Sequence, residues 1–350
     1  MRNILVVDDS ALMRRVICDI INTDGTFQAN DVCRDGLEAY EKLKTTKYAG
    51  VILDVNMPRM DGLQLLEKLQ QDKIKATVIM VSTQTTKDAD VTIRAMERGA
   101  IDFVEKPTNI VEAKGESFRN RLLDVLSAVL RTERENLTMQ TKKPEVVLRR
   151  QKPVAKSGNL IVALACSTGG PKALQSVIPK LPKNLNAPVV LVQHMPVGFT
   201  YSLGARLDEL SQIHVKEAED GEVLCKGTVY IAKGGSQMRV IEKNRREYVL
   251  SVREEEARNG LKPCADIMYE SLRESSFDDI TCVVMTGMGA DGTKGILQLE
   301  KTNKIYVIAQ NEESCTVYGM PKVVTESGVV DEVQDLNLIA DAITKHVGVR

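Results

Sequence analysis

Five short apolar runs, each followed by a segment with helical spacing, fill the first 106 residues of the chain. Strands that alternate with helices predict a parallel sheet covered by helices on both faces. The chemistry of such a sheet is expected at the carboxyl ends of its strands. The five runs are NILVVDD, QANDVCR, GVILDVNMP, TVIMVST and DFVEKP. The first helix is expected to end at Asp24-Gly25, and its apolar face comprises Leu12, Val16, Ile17, Ile20 and Ile21.

Apolar runs separated mostly by helical segments resume at residue 159: NLIVALAC, APVVLVQ, GTVYIA, DITCVVMTG and KIYVIAQ. The stretch MRVIEKNRREYVLSV (238–252) differs, because two strands around a polar turn predict an antiparallel hairpin. The second half is therefore expected to be an α/β domain with a mixed sheet and an antiparallel hairpin.

A basic stretch separates the two halves. Residues 136–157 hold six Lys or Arg against one Glu, with two prolines and no apolar periodicity, which is typical of a linker. A chain of 350 residues also exceeds most single cores. We predict a first domain over 1–125, a helix extension and basic linker over 126–157, and a second domain over 158–348. A solvated tether explains the basic residues better than contact with nucleic acid.

The composition narrows the class of protein. A formal net charge of −1 argues against a nucleic-acid-binding surface, and no apolar run approaches the ~20 residues of a membrane span. The N-terminal MRNILVVDDS reaches acidic residues after five apolar ones, unlike a secretory signal. The seven cysteines form no CxxC pair, so neither a zinc site nor a disulfide framework is expected. We expect a cytoplasmic protein that neither binds nucleic acid nor inserts into a membrane.

Acidic residues stand at strand ends in the first half. Asp8 and Asp9 end the first predicted strand, and Asp54 ends the third. Because neighbouring parallel strands end at one rim, these carboxylates should crowd together unless a cation joins them, and Mg²⁺ fits oxygen ligands best. Ser82 and Lys106 end the fourth and fifth strands at the same rim. Together these are the groups that phosphoryl transfer onto an aspartate requires.

Two other interpretations compete for the acidic residues. An acid at a strand end often caps the following helical turn, and for any single residue this structural role is the better interpretation. It explains poorly why so many suitable residue types stand at successive strand ends. A phosphatase with an Asp-x-Asp nucleophile is the second alternative, although the two N-terminal acids are adjacent here.

Residues 1–125 resemble the receiver domain of two-component response regulators in the stretches VVDDS, ILDVNMPRMDG, VST and GAIDFVEKP. The resemblance implies a flavodoxin-like fold with Asp54 as the phosphoacceptor. It implies an Mg²⁺ site formed by Asp9, Asp54 and the backbone carbonyl of Asn56, with Asp8 nearby. The residues that would contact the phosphoryl group or move with it are Ser82, Lys106 and Phe103.

The stretch LIVALACSTGGPKAL (160–174) ends a buried strand at a serine-containing turn and restarts as a helix. Its Ala165-x-Ser167-x-Gly169 pattern is similar to a nucleophile elbow, with alanine in place of the usual first glycine. The helix N-terminus supplies free N–H groups and a positive dipole end for a developing oxyanion. A serine hydroxyl is a poor nucleophile alone, so a base must lie within hydrogen-bond reach.

Three histidines could supply that base. His346 lies near the chain end, and His214 alternates with apolar residues on a predicted strand and should face solvent. His194 directly follows the strand APVVLVQ, so it shares a rim with Ser167 if the two strands are neighbours. A lone strand-end histidine is more often structural, but a nearby serine favours catalysis. Asp291, in the turn after the strand 279–286, could orient the imidazole ring.

Residues 287–292 offer a competing interpretation, because Gly-x-Gly-x-x-Gly follows a strand and opens a helix. Glu312 and Glu313 stand near the end of the next strand, at about the ~20-residue spacing of a dinucleotide-binding fingerprint. A lone match of this kind is weak, and Asp291 within the turn would repel a pyrophosphate.

Residues 158–348 resemble the catalytic domain of chemotaxis protein-glutamate methylesterases of the CheB type. The matching stretches are STGGP, VQHMPVGFTYSLGARL, AEDGEVLCKGTVYIAKGG, TGMGADGTKG and AQNEESCTVYGMP. The resemblance implies Ser167 as nucleophile, His194 as general acid/base and Asp291 as the residue that orients His194. It also implies that the backbone N–H of Met288 contributes to the oxyanion hole and that Thr168 lines the site.

The sequence departs from this family pattern at three places outside the implied triad. Lys233 stands where a proline is usual, and Gln237 stands where a histidine is usual. Residues 301–305, KTNKI, lack the expected glycine.

The two resemblances together predict a phosphorylation-activated hydrolase with no cofactor in its esterase site. It would demethylate glutamate methyl esters, releasing methanol, and deamidate glutamines on methyl-accepting chemotaxis receptors. The unphosphorylated receiver would block the triad until the chemotaxis histidine kinase phosphorylates Asp54. Two alternatives are a receiver with a binding output, such as a transcription regulator, and a non-catalytic scaffold that sequesters receptors. No helix-turn-helix is visible after the linker.

Overall fold

The structure is a computed structural model. The residues that it describes are 1–83, 85–107, 109–113, 115–138, 158–244 and 247–350. Contacts divide the chain into two compact units, Met1–Gln140 and Thr141–Arg350. Most of the predicted basic linker, 136–157, lies outside the described residues. None of the helices in the described ranges is long and apolar enough to cross a bilayer.

The first unit is a parallel sheet with helices around it. Its strands are β1 (Arg2–Val7), β2 (Phe27–Cys33), β3 (Gly50–Asp54), β4 (Val78–Ser82) and β5 (Asp102–Glu105). Its helices are α1 (Ala11–Thr23), α2 (Gly36–Thr45), α3 (Gly62–Gln71), α4 (Thr86–Glu97), α5 (Ile110–Ala113) and α6 (Glu116–Thr138). The strands pair in parallel in the order β2-β1-β3-β4-β5, which confirms the predicted five-stranded sheet.

The helices of this unit follow the predicted apolar pattern with two differences. Leu12, in the first turn of α1, is exposed, whereas the other predicted apolar residues of that helix are buried. The sequence predicts a single fifth helix over roughly 109–132, but the structure divides this stretch into α5 and α6. The division lies next to Gly115, whose N–H closes a turn on the carbonyl of Glu112 at 2.9 Å. Glycine interrupts a helix readily because its backbone loses more conformational freedom in a helix than that of any other residue.

The second unit contains a larger sheet and a hairpin. Its strands are β6 (Leu160–Cys166), β7 (Val189–Gln193), β8 (His214–Glu217), β9 (Thr228–Ile231), β10 (Gln237–Asn244), β11 (Glu247–Arg253), β12 (Asp279–Val284), β13 (Ile305–Gln310) and β14 (Glu332–Gln334). Its helices are α7 (Gly170–Val177), α8 (Phe199–Leu210), α9 (Ala265–Ser271), α10 (Thr293–Leu299), α11 (Met320–Glu326) and α12 (Ile339–Val347).

Seven of these strands form one sheet in the order β14-β13-β12-β6-β7-β9-β8. The predicted hairpin of β10 and β11 is present and antiparallel, but it forms a sheet of its own. The strand pairs of the seven-stranded sheet are all parallel in the described residues, so the antiparallel component is confined to the hairpin. The hairpin stays separate because it buries alternate apolar side chains, including Met238, Val240 and Leu250, in the core that α9 also joins.

The chain changes direction across the sheet at β6. It passes from β6 to β7 on one side, and β12 later returns to pair with β6 on the other side. The carboxyl ends of β6, β7 and β12 therefore border a topological switch point, which is where open α/β sheets bind their ligands.

Candidate functional site

Ser167 and His194 directly follow two neighbouring strands. The register pairs Cys166 of β6 with Gln193 of β7, and the His194 N–H extends this ladder to the Cys166 carbonyl at 3.2 Å. The side-chain amide of Gln193 donates to the carbonyl oxygens of Ser167 at 3.0 Å and of His194 at 3.2 Å. The two residues thus lie side by side at one rim, with their backbones tied together by a buried glutamine.

The imidazole of His194 contacts the carboxylate of Asp291. Nε2 of His194 lies 2.8 Å from Oδ2 of Asp291, and both side chains are less than a tenth exposed. The carboxylate also accepts the backbone N–H groups of Ala265 at 2.6 Å and Asp266 at 3.0 Å, in the first turn of α9. The thiol of Cys264 donates to it at 3.2 Å. Asp291 is therefore fixed at a helix N-terminus while it holds the ring of His194.

These contacts set the charge of Asp291. Burial alone would raise the pKa of its carboxyl group. The hydrogen bond and charge of His194, with the N–H groups of Asp266 and Ala265, outweigh burial and lower the pKa to about 2. The carboxylate consequently stays ionised at neutral pH, as a group that orients and stabilises an imidazolium must.

The loop after β12 completes the surroundings of Ser167. The Ser167 N–H donates to the carbonyl of Thr286 at 3.0 Å. A Cβ atom on Gly287 would lie only 2.8 Å from Cβ of Ser167, so the loop backbone packs directly against the serine. Among the described residues, no group accepts a hydrogen bond from the N–H of the next residue, Met288. Thr168 is buried, and its hydroxyl has no hydrogen-bond partner within the described part of the chain.

The other two histidines lie away from this rim. His214 on β8 is exposed and contacts Asp208 at 2.9 Å, in agreement with its predicted position on a solvent-facing strand. His346 is buried in α12, with Nε2 at 2.9 Å from Oδ1 of Asp279. Asp279 begins β12, at the end of the sheet opposite Ser167. Of the three histidines, His194 is the one placed next to the serine.

The glycine pattern at 287–292 does not form a phosphate-binding turn. The N–H groups of Gly292 and Gly295 donate to the carboxylate of Asp266 at 3.0 and 2.8 Å. A buried carboxylate thus holds the start of α10, where a pyrophosphate would need free donors. This contact argues against dinucleotide binding, and it explains Gly292 as the residue that caps the start of α10.

A second cluster of polar side chains lies at the strand ends of the first unit. Ligand oxygens of Asp8, Asp9 and Asp54 all lie within 4.8 Å of one another. Nζ of Lys106 is 2.8 Å from the carboxylates of both Asp8 and Asp54. Burial, followed by repulsion from Asp8, raises the pKa of Asp54 to about 6, although Lys106 offsets part of this shift.

The donor set of this cluster fits a hard divalent cation. Three carboxylates face one ammonium group, so the cluster carries an excess of negative charge that one lysine does not balance. Oxygen ligands at a partly open rim suit Mg²⁺, which retains several of its waters. Asp8 and Asp54 are buried and Asp9 is exposed, so a bound cation would keep a face toward solvent.

The remaining predicted residues of the first unit surround this cluster. The hydroxyl of Ser82 accepts a hydrogen bond from Thr92 at 2.8 Å, and the Lys106 N–H donates to the Ser82 carbonyl at 2.7 Å. Phe103 is buried on β5. The side chain of Asn56 donates to Asp88 of α4 at 2.6 Å. Asp88 and Thr92 were not predicted, although their i, i+4 spacing places them on one face of α4.

The structure accommodates two departures from the family pattern. Lys233 is exposed in a turn in which its carbonyl accepts the Ser236 N–H at 3.1 Å. Residues 301–303 close the end of α10 with bonds to the carbonyls of Gln298 and Leu299. No residue over 301–305 has a positive φ, so this turn does not require a glycine.

Comparison with known proteins gives matches over both units. The family model described as CheB methylesterase matches residues 162–343, and that of the response regulator receiver domain matches residues 4–114. A protein-glutamate methylesterase/protein-glutamine glutaminase of Halalkalibacterium halodurans is 42% identical, over 98% of this chain and 97% of that protein. A Bacillus subtilis protein of the same name is also 42% identical, over 99% of each chain. The solved catalytic domain of Thermotoga maritima CheB methylesterase is 41% identical, with a TM-score of 0.51, and covers 54% of this chain and 98% of that domain.

Proposed function

The chain belongs to the CheB methylesterase family and carries a response regulator receiver domain, and from this premise we propose that Ser167, His194 and Asp291 form its catalytic triad. The substrates are glutamate methyl esters, and glutamine side-chain amides, on methyl-accepting chemotaxis receptors. The observation that carries the proposal is the 2.8 Å contact between His194 and Asp291 at the rim where Ser167 follows β6. The names of the similar full-length proteins support the choice of substrate.

Acylation begins with attack of Oγ of Ser167 on the ester carbonyl carbon. Nε2 of His194 is occupied by Asp291, so Nδ1 is the nitrogen that accepts the serine proton. The resulting imidazolium is stabilised by the ionised carboxylate of Asp291. It then returns the proton to the methoxy oxygen, the C–O bond breaks and methanol leaves.

Deacylation repeats these proton transfers with water. His194 removes a proton from a water molecule that attacks the acyl carbon, and the proton passes to Oγ of Ser167 as the acyl bond breaks. The receptor side chain leaves as a carboxylate. A glutamine amide follows the same course and releases ammonia instead of methanol.

The developing oxyanion needs donors that are not already used. The N–H of Met288 meets this need, because it follows the loop residue that packs on Ser167 and has no acceptor among the described residues. One well-placed donor of this kind contributes about 10²- to 10³-fold to the rate. We also propose that Thr168, the buried residue after Ser167, lines the same site.

We expect Gly287→Ala to lower kcat for ester hydrolysis by at least about ten-fold, because misplacing a catalytic group by about 1 Å can cost up to about 10²-fold. The new methyl group would lie 2.8 Å from Cβ of Ser167 and 2.5 Å from the sulfur of Met320, so loop or serine must shift. Steady-state methanol release measures kcat. Gly50→Ala is the control, since Gly50 has no positive φ and its Cβ would meet only side-chain atoms at ordinary contact distances of 3.4 Å or more. Unchanged kcat for Gly287→Ala would contradict the packing of this loop against the nucleophile.

The receiver domain supplies the control of this activity. Asp54 accepts a phosphoryl group from a phosphohistidine of the chemotaxis histidine kinase, and Lys106 moves from the carboxylate to the phosphoryl oxygens. Ser82 turns from Thr92 toward the phosphoryl group, and Phe103 follows. In the unphosphorylated protein the receiver inhibits hydrolysis at the triad. We also propose limits of 1–125 for the receiver domain and 158–348 for the catalytic domain. We further propose a cytoplasmic location, in which the protein would reach the kinase and the signalling segments of the receptors.

Mg²⁺ would be held by Asp9, Asp54 and the backbone carbonyl of Asn56, with Asp8 close by. When bound, it would neutralise charge on the phosphoryl oxygens during transfer. The esterase site is proposed to use no cofactor.

The phosphorylation control can be tested on the full chain. We expect a small acyl phosphate with Mg²⁺ to raise kcat/KM by at least about ten-fold, which corresponds to about 1.4 kcal/mol of population shift. Asp54→Asn and chelation of Mg²⁺ should each abolish this increase without lowering basal hydrolysis. A fragment of residues 158–350 is expected to exceed the unphosphorylated full chain in rate. A fragment much slower than the unphosphorylated chain would contradict inhibition by the receiver.

A further inference from the structure

A buried amide on the hairpin is linked by hydrogen bonds to the carboxylate that orients His194. We infer that Gln237 is a positioning residue, which holds the donors of Asp291 in place and acts on His194 through them. The inference rests on the proposed catalytic roles of His194 and Asp291. Gln237 forms its side-chain hydrogen bonds with Cys264, Leu261 and Glu256 and none with His194 or Asp291, so it is not a catalytic residue.

Both ends of the Gln237 side chain are used on one loop. Gln237 begins β10 and is fully buried. Its Oε1 accepts the Cys264 N–H at 2.9 Å, and its Nε2 donates to the Leu261 carbonyl at 3.0 Å. A buried amide whose acceptor and donor are both paired fixes its partners in distance and direction. Gln237 therefore fixes the backbone that leads into α9.

That same backbone carries donors of Asp291. Cys264 is the residue before α9, and its thiol donates to Oδ1 of Asp291 at 3.2 Å. The next two N–H groups, of Ala265 and Asp266, donate to the carboxylate at 2.6 and 3.0 Å. A displacement of Cys264 would move all three donors together, because they belong to one continuous helix start.

A second anchor limits the size of the expected effect. Asp266 in α9 accepts the N–H groups of Gly292 and Gly295, which ties α9 to the turn that contains Asp291. Loss of Gln237 should therefore loosen the geometry of Asp291 rather than remove the residue from the site. We expect a reduction in rate that is clear but smaller than that caused by changing Asp291.

The groups that face Asp291 also decide at which pH its carboxylate is protonated. The ring of His194, the Cys264 thiol and the carboxylate of Asp266 surround it, together with the N–H groups named above. Backbone donors favour the ionised form of a carboxylate, so weaker donation makes protonation easier. A variant that loses only stability would leave the pH dependence of turnover unchanged, whereas loss of positioning would move it.

The test compares Gln237→Met with wild type in the full-length protein. Methionine has a similar length and shape but neither an amide donor nor an amide acceptor. We expect kcat for methanol release to fall by about ten-fold or more with KM within about two-fold, since positioning defects act on the reacting geometry. The acid limb of the profile of kcat against pH should also move, because this limb reports protonation of the His194–Asp291 pair whose geometry Gln237 helps to hold.

Two further variants make the result specific to the hydrogen bonds. Gln237→His offers one acceptor and one donor nitrogen and is expected to recover most of the rate. Gln237→Asn is one methylene too short to reach the Cys264 N–H, so it should reproduce the loss seen with methionine, and it serves if the methionine variant does not fold. Tyr248→Phe is the matched control, because it removes bonds of the same hairpin to Asn159 and Ser276, each at 2.9 Å. Its kcat and pH profile should equal those of wild type.

The outcomes separate this inference from the proposed function. Wild-type kcat and an unmoved pH profile in Gln237→Met or Gln237→Asn, while Ser167→Ala is inactive, would overturn the role of Gln237 alone. An equal loss of kcat in Tyr248→Phe would also overturn it, because a general loss of stability would then explain the effect. Full activity in Ser167→Ala would instead overturn the catalytic triad on which the inference rests.

Discussion

Replacing Ser167 by alanine is expected to lower kcat for methanol release by about 10⁴- to 10⁶-fold, as for other residues that act as one unit with a nucleophile. The alanine variant lacks the hydroxyl oxygen that bonds to the acyl carbon, so the acyl-enzyme does not form. Its fold should persist, because the Ser167 backbone bonds to Thr286 and Gln193 do not involve the hydroxyl. Methanol release from methylated receptors, with thermal unfolding measured in parallel, tests both expectations.

Ser202→Ala provides the matched control for this experiment. Ser202 is buried in α8, and its hydroxyl has no hydrogen-bond partner within the described residues. Loss of a buried serine hydroxyl as such is therefore common to the two variants, and only Ser167→Ala should lose turnover. Near wild-type turnover in Ser167→Ala would show that another group is the nucleophile.

Replacing Asp291 by asparagine is expected to lower kcat by about 10⁴-fold, as for other triads whose carboxylate becomes an amide. The amide keeps the shape of the side chain but loses the negative charge that stabilises the imidazolium of His194. One of its two polar ends becomes a donor that faces donors, because the carboxylate now accepts the Ala265 and Asp266 N–H groups. Measurement of kcat and KM separates this loss of chemistry from a loss of binding.

The second unit offers a natural control for Asp291→Asn. Asp279 and His346 form another buried His–Asp pair, at 2.9 Å, at the opposite end of β12. Asp279→Asn should therefore lower stability in a similar way while leaving kcat unchanged. A fall in kcat of less than ten-fold in Asp291→Asn would contradict the assigned orienting role.

Two buried carboxylates at strand ends, Asp54 and Asp291, have pKa values that their neighbours shift in opposite directions. Asp54 faces another carboxylate, and burial with that repulsion raises its pKa to about 6. Asp291 is also buried, yet His194 and backbone donors lower its pKa to about 2. The folded-state pKa of Asp291 lies below the ordinary value of ~3.9, so its stabilising contribution is present above that pH and is lost as the pH falls toward 2. One carboxylate is thus suited to accept a cation or a phosphoryl group, and the other to hold an imidazole.

Much of this arrangement could be predicted from strand ends. Apolar runs identify the central strands, and parallel strands bring their carboxyl ends to one rim. The sequence therefore places Ser167 and His194 together on the condition that their strands are neighbours, and the pairing of β6 with β7 supplies that condition. Asp8 and Asp54, the carboxylates expected near Mg²⁺, are brought together in the same way, because they also stand at the carboxyl ends of parallel strands. The strand β14 was missed, because three partly exposed residues carry no apolar pattern.

The supporting contacts could not be predicted in this way. Gln237 reaches Asp291 only through Cys264, and that link depends on how the hairpin packs against α9. The same packing makes the hairpin a separate sheet. Periodicity describes which face of an element is buried, but it does not specify which distant loop the buried amide will meet.

Covalent labelling with a fluorophosphonate tests the central claim, activation of Ser167 by His194, most directly. We expect one label for each chain, located by mass spectrometry on the peptide that contains Ser167, with methanol release lost in proportion to labelling. The His194→Ala variant should label far more slowly, because its serine lacks the base. Labelling of a different residue, no labelling at neutral pH, or full turnover by a chain labelled at Ser167 would contradict the account.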